Sequence, residues 1–209
     1  DILKLYHRTI SDILSDIGTF QSFLHVAAQH YKQHSANQIY IFAQAPDALL
    51  VGSKKIWGNL GGKIKRSPKS PRIFVLVRNS SELILQEQYS EINVDIPKDK
   101  LKPFLSHWTK KELASMLGEN TNKYYQSIWK ICDNVYDLVF DDAMPLSRET
   151  CIELATLMLM CKLGFEQQVP SPRSSYEEMI KMDISLPKAM QWVNQLVREV
   201  YSQFEKGHN

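Results

Sequence analysis

The residues best placed to do chemistry in this chain are cations. Between Ala48 and Ser81 stand Lys54, Lys55, Lys63, Lys65, Arg66, Lys69, Arg72 and Arg78, with no acid among them. The remaining 17 basic residues face 23 acidic ones, so a formal net charge of +2 conceals a dipolar chain with one cationic segment. Such a segment is a footprint for a polyanion, whose phosphates it can neutralise without reading sequence. Trp57 follows Lys54 and Lys55, and Tyr40 stands among Asn37, Gln38 and Gln44 just upstream. A cationic groove with exposed aromatics is what holds a single strand, each base stack contributing ~1–3 kcal/mol, and side-chain amides can bind phosphate or base edges.

The same residues admit structural roles. Ile56, Trp57 and Leu60 fit the apolar side of a short amphipathic helix, where Trp57 would be core. Asn37 and Gln44 could tie down backbone between two short helices, and lysines on a sheet edge block edge-to-edge association.

Other chemistries leave weaker marks. His30 and His34 are four apart and could share a helix face to bind a metal. No third ligand stands near, so solvated surface histidines are expected and no metal or cofactor is. The zinc-peptidase signature H-E-x-x-H is absent: His107 is followed by Trp108-Thr109-Lys110-Lys111. Glu149 and Glu153 are four apart but have no histidine to join them. No P-loop, dinucleotide fingerprint or nucleophile elbow occurs, and Gly58, Gly61 and Gly62 fit none of them. The chain is read as having no catalytic residues. It is not an enzyme on this reading.

The elements that must position these residues are legible from periodicity. Residues 2–33 are apolar at helical spacing (Ile10, Ile13, Leu14, Ile17, Phe20, Phe23, Leu24), with Gly18 as the expected break between two helices. Ser35 is expected to cap a short helix that Pro46 ends, Ala48–Gly52 to be a short strand or extended link, and Ser53 to cap KKIWGNL, closed by Gly61 and Gly62. Lys63–Arg66 and Arg72–Val77 read as two strands around a Ser-Pro-Lys-Ser-Pro turn, a basic hairpin, and Leu83–Val94 adds further β-structure. Helices then resume. Thr109 with Glu112 forms a capping box, and Tyr124–Phe140 repeats apolar residues at helical spacing. Ser147 caps a helix that is apolar nearly all round and ends at Gly164, the buried centre of a bundle. Ser174 with Glu177 forms another box, and a last helix runs from Ser185 or Leu186 to Gly207.

These patterns predict an α+β protein: N-terminal helices and a small antiparallel sheet, followed by a C-terminal helical bundle. The expected division is residues 1–96 and 97–209. A chain of 209 residues with 44% hydrophobic and 23% charged residues can build a full core, which argues against disorder. No run approaches the ~20 apolar residues that span a bilayer. Cys151 and Cys161 fall in an apolar helical pattern as buried free thiols, which suggests a reducing, cytoplasmic setting. An opening Asp1 rather than Met suggests a piece of something longer.

The central stretch SANQIYIFAQAPDALLVGSKKIWGNLGGKIKR resembles the N-terminal domain of ArdC-type antirestriction proteins, which also heads polyvalent proteins of conjugative elements and phages. The family pattern is met by Ser35, Asn37, Ile41, Gln44, Pro46, Ala48, Trp57, Leu60, Gly61, Ile64 and Lys65. It departs where the family's R-x-V-K becomes Gly62-Lys63-Ile64-Lys65, and where the G-x-K-x-I turn becomes Ser67-Pro68-Lys69-Ser70-Pro71-Arg72-Ile73. More weakly, Glu153-Leu154-Ala155 through Leu163-Gly164-Phe165 and the last helix resemble segments that follow the metallopeptidase helix in such proteins. The resemblance implies sequence-independent binding of single-stranded DNA by a mobile-element protein. The candidate DNA-binding set is Asn37, Gln38, Tyr40, Gln44, Lys54, Lys55, Trp57, Lys63, Lys65, Arg66, Lys69 and Arg72. The alternative is a non-catalytic interaction or structural module of a larger polyvalent protein, partnered by its other domains. A zinc-metallopeptidase remnant ranks below both.

Overall fold

The computed structural model describes residues 1–65, 72–79, 82–105, 117, 124–140, 144–165, 168–182 and 184–206. The fold is α+β, with helices at both ends and small antiparallel sheets between them. The expected capping box at Thr109 and Glu112, Arg66, Lys69 and the closing Gly207 lie outside the described residues.

Helix α1 (Ile2–Ser15) and helix α2 (Ile17–Gln29) are separated at Asp16, not at Gly18 as the sequence suggests. Asp16 is extended, and its carboxylate accepts from the backbone N–H of Thr19 at 2.7 Å and from its hydroxyl at 2.9 Å. The acid satisfies orphan donors of α2, which a glycine cannot do. Helix α3 (Ser35–Gln44) is capped by His34, whose Nδ1 accepts from Ala36 N–H at 3.2 Å. Ser35 is instead a buried first residue of the helix. Strand β1 (Val51–Gly52) leads to α4 (Lys54–Asn59), where Ser53 Oγ accepts from Ile56 N–H as expected. Gly61, at φ +79°, reverses the chain after α4.

The strand pairing differs from the expected basic hairpin. Strand β2 (Lys63–Ile64) pairs with β5 (Val94–Asp95), while β3 (Ile73–Asn79) pairs with β4 (Glu82–Ser90), all antiparallel. Lys63 and the strand that follows Arg72 therefore belong to two different sheets: a ribbon β2–β5 and a three-stranded sheet ordered β1-β4-β3. The β3–β4 ladder is long, from Ile73 opposite Gln88 to Asn79 opposite Glu82. This seven-pair ladder between consecutive strands offers β3 more cross-strand contacts than the two-residue β2 could.

After α5 (Lys98–Leu105), three of the later helices close the main core with α1, α2 and α3. They are α6 (Tyr124–Val139), α7 (Arg148–Lys162) and α9 (Leu186–Lys206); α8 (Arg173–Lys181) lies between the last two. Helix α7 is the bundle's centre, with eleven of its fifteen residues buried. Ser147 Oγ caps it through Thr150 N–H, and Gly164 at φ +85° ends it in a Schellman motif. In that motif Phe165 N–H reaches Met160 O and Gly164 N–H reaches Cys161 O. The expected box at Ser174 and Glu177 does not form. Pro172 holds the N-cap position of α8 without a side-chain bond, and Ser174 Oγ donates to Glu153 of α7. Cys132, Cys151 and Cys161 are free and buried.

One continuous core joins Phe20, Phe23 and Ile39 of the N-terminal helices to Leu157, Val193 and Val197 of the bundle. A smaller cluster of Val26, Ile41, Ile73 and Val75 lies between the helices and the sheet. Helix α3 belongs to both, which is why seven of its ten residues are buried.

Candidate nucleic-acid interface

The amides proposed as DNA ligands are occupied by the fold. Asn37 Nδ2 donates to Leu76 O and its Oδ1 accepts from Leu76 N–H, both at 2.8 Å. Gln44 repeats the pattern on Phe74, each bond 3.0 Å, and also donates to Tyr40 O. Two turns of α3 thus present two carboxamides to the outer edge of β3, each standing in for a residue of a missing neighbouring strand. Gln38 is fully buried. Its amide pairs with that of Asn194 and donates to the carbonyls of Ala27 and His30. These three side chains hold α3 in place and are not free to read bases.

The two aromatics are corrected in the same way. Tyr40 is 4% exposed, its ring 4.7 Å from that of Tyr6. Trp57 is 2% exposed, and its indole N–H donates to Tyr89 O at 2.9 Å. Close approach around it is permitted by glycine: a Cβ on Gly62 would lie 2.7 Å from Cγ1 of Val94 and 3.2 Å from the carbonyl oxygen of Trp57. Neither ring offers a face to a stacking base. Of the two expected surface histidines, His34 is exposed as expected and His30 is not. His30 is buried, its Nε2 2.8 Å from Ala48 O, and His34 caps α3.

The cations lie at the surface. Lys54 and Lys55 are exposed on the first turn of α4, and Lys63 and Lys65 on and just after β2. Lys65 Nζ donates to Ile92 O at 2.9 Å. Arg72 instead faces Glu87 at 3.6 Å, so it belongs to the β3–β4 hairpin and is paired there.

What the structure brings together is a cleft lined by Lys54, Gly58, Gly62, Lys63, Ile64 and Tyr89. Two glycines, two lysines and the half-buried Tyr89 are among its lining residues. Tyr89 donates its hydroxyl to Glu87, and that bond, aided by desolvation and the acid's charge, raises its pKa. Asp95 stands opposite Lys63 in the β2–β5 register.

Comparison with protein-family models, with curated proteins and with solved structures finds no match.

Tyr89 is the residue the sequence did not single out. In the chain it is one of several residues in a polar strand. It reaches the cleft because β4 pairs it with Gly52 of β1, a residue without a side chain, next to the start of α4. The alternation of the strand carries no sign of that pairing.

Proposed function

We propose that this chain binds single-stranded DNA without sequence preference along the cleft between α4 and the β2–β5 ribbon. The observation that carries the reading is the lining of that cleft, where Lys54 and Lys63 share one opening with Tyr89. Lys54 and Lys63 take phosphate oxygens, Lys55 and Lys65 extend the positive field, and Tyr89 replaces Trp57 and Tyr40 as the stacking aromatic. Binding is driven by counterion release and stacking, and no bond is made or broken. The sequence resemblance to ArdC-type domains supports a single strand as the target, and a cytoplasmic protein that accompanies incoming DNA of a mobile element. No described helix is long and apolar enough to cross a membrane.

The test is fluorescence anisotropy of a labelled oligothymidine across a salt series. Binding should weaken steeply with salt, and Lys54→Ala or Lys63→Ala should each lower the log–log salt slope by about 0.7. A wild-type protein that does not bind at low salt ends this reading.

A second reading is a non-catalytic interaction module of a larger polyvalent protein. It is favoured by one observation: Asn37, Gln44 and Trp57, which carry the resemblance, all serve the interior of the fold. Likeness at those positions would then record a shared scaffold and not a shared ligand.

A further inference from the structure

The two edges of the three-stranded sheet are treated differently. On β3 the outward backbone groups at Phe74 and Leu76 are closed by Gln44 and Asn37. Antiparallel ladders alternate, so residues whose N–H and C=O point away from the partner stand opposite residues that do the same. Phe74 is opposite Glu87 and Leu76 opposite Leu85. Leu83, Leu85 and Glu87 therefore turn their N–H and C=O groups toward the free side of β4. Tyr89 has the same parity, and its carbonyl indeed leaves β3 to accept from Trp57.

Strand β1 covers only the far end of that side, pairing Val51 with Ser90 and Gly52 with Tyr89. Among the described residues, no backbone or side-chain group bonds the outward N–H and C=O of Leu83, Leu85 or Glu87. Glu82–Ser90 contains no lysine and no proline, and its only charges are Glu82 and Glu87. Its leucines are bare: Leu83 is 69% and Leu85 45% exposed, on the face shared by half-buried Phe74 and Leu76.

We infer that β4 pairs antiparallel with β4 of a second copy of this chain, across a twofold axis at Leu85. The choice of occupant follows from the register. Centred there, Leu85 meets Leu85, Leu83 meets Glu87, Ile84 meets Gln86 and Glu82 meets Gln88. No like charges stand opposite, and all three open residues find partners. Shifting the centre by one residue either way leaves one of the three without a described open partner. Each outward pair exchanges two bonds, so six N–H···O bonds join two three-stranded sheets into one of six strands. The leucine faces of both copies become continuous. Pairing uses the open edge of each copy once, so the assembly closes as a dimer.

Sedimentation velocity over a concentration series tests this, together with amide hydrogen exchange. The expected result is a concentration-dependent dimer, with the amides of Leu83, Leu85 and Glu87 slowing as dimer forms. Leu85→Lys brings two ammonium groups face to face at the axis and should raise the dimer dissociation constant roughly tenfold or more. Among the described residues the Leu85 N–H makes no bond, so at concentrations where the wild type is monomeric this variant should melt like it. Leu3→Lys, an exposed change on α1, should leave the dimer intact. A strictly monomeric wild type, assemblies larger than a dimer, or a dimer indifferent to Leu85→Lys would each overturn the inference.

Discussion

Gln38 and Asn194 exchange two amide hydrogen bonds of 2.9 Å across 156 residues of chain, inside a core where Gln38 is fully buried. This pair ties α3, which carries the sheet, to α9, which ends the bundle. Breaking one side leaves an unpaired buried carboxamide. Asn194→Ala is expected to cost about 2–3 kcal/mol, and Gln38→Leu with Asn194→Leu less than the sum of the single changes. Urea denaturation of the double-mutant cycle measures the coupling; additive singles would remove the pair from the account.

The amides of Asn37 and Gln44 substitute for a strand beside β3. Asn37→Ala and Gln44→Ala should each cost about 1–3 kcal/mol, because the N–H groups of Leu76 and Phe74 lose their partners. Amide exchange offers the sharper reading. Leu76 should speed up selectively in Asn37→Ala and Phe74 in Gln44→Ala, and unchanged rates at those two amides would contradict the capping role.

Trp57 and Tyr89 are expected to separate stability from binding. Trp57→Phe removes the bond to Tyr89 O, for about 1–2 kcal/mol, and Trp57→Ala about 3–5 kcal/mol. Oligothymidine should leave the emission of Trp57, isolated by difference against Trp57→Phe, unquenched. Tyr89→Leu should weaken oligothymidine binding roughly fivefold to tenfold at constant salt. Quenching of Trp57 by the oligonucleotide would return the stacking role to that ring.

His30 makes stability depend on pH. Burial lowers its pKa to about 4, the Ala48 carbonyl partly opposing this and the charge of Lys162 adding to it. The folded chain thus holds a neutral ring, whose Nε2–H donates to Ala48 O, while the unfolded chain takes up a proton below about 6.5. The unfolded state binds more protons in that interval, so stability is full above pH ~6.5 and falls by up to roughly 3 kcal/mol as pH drops toward 4. His30→Gln, which can keep the bond to Ala48 without titrating, should flatten the dependence. Thermal melts from pH 7.5 to 4.5 of both proteins check it, and parallel curves would assign the acid lability elsewhere.

The sequence by itself determined most of the elements, because their signals are local, although the Gly18 break, the Ser35 cap and the Ser174–Glu177 box were not used. Caps at Ser53 and Ser147, stops at Gly61 and Gly164, and the all-round apolar α7 act within about four residues of where they are written. The α+β class and the exposed lysines of the cationic segment followed from the same local reading. Tertiary structure decided everything that depends on choice among distant partners. Lys63 could have paired across a turn with the strand after it, but Val94 and Asp95 won β2, leaving β3 to the longer ladder with β4. Asn37, Gln38, Gln44 and Trp57 are polar or amphipathic groups whose type suits a ligand as well as a backbone. Packing settled their role, since an amide or indole N–H that leaves water must find a partner in the fold, and only the packed fold supplies the carbonyls of Leu76, Phe74, Ala27 and Tyr89 that they meet.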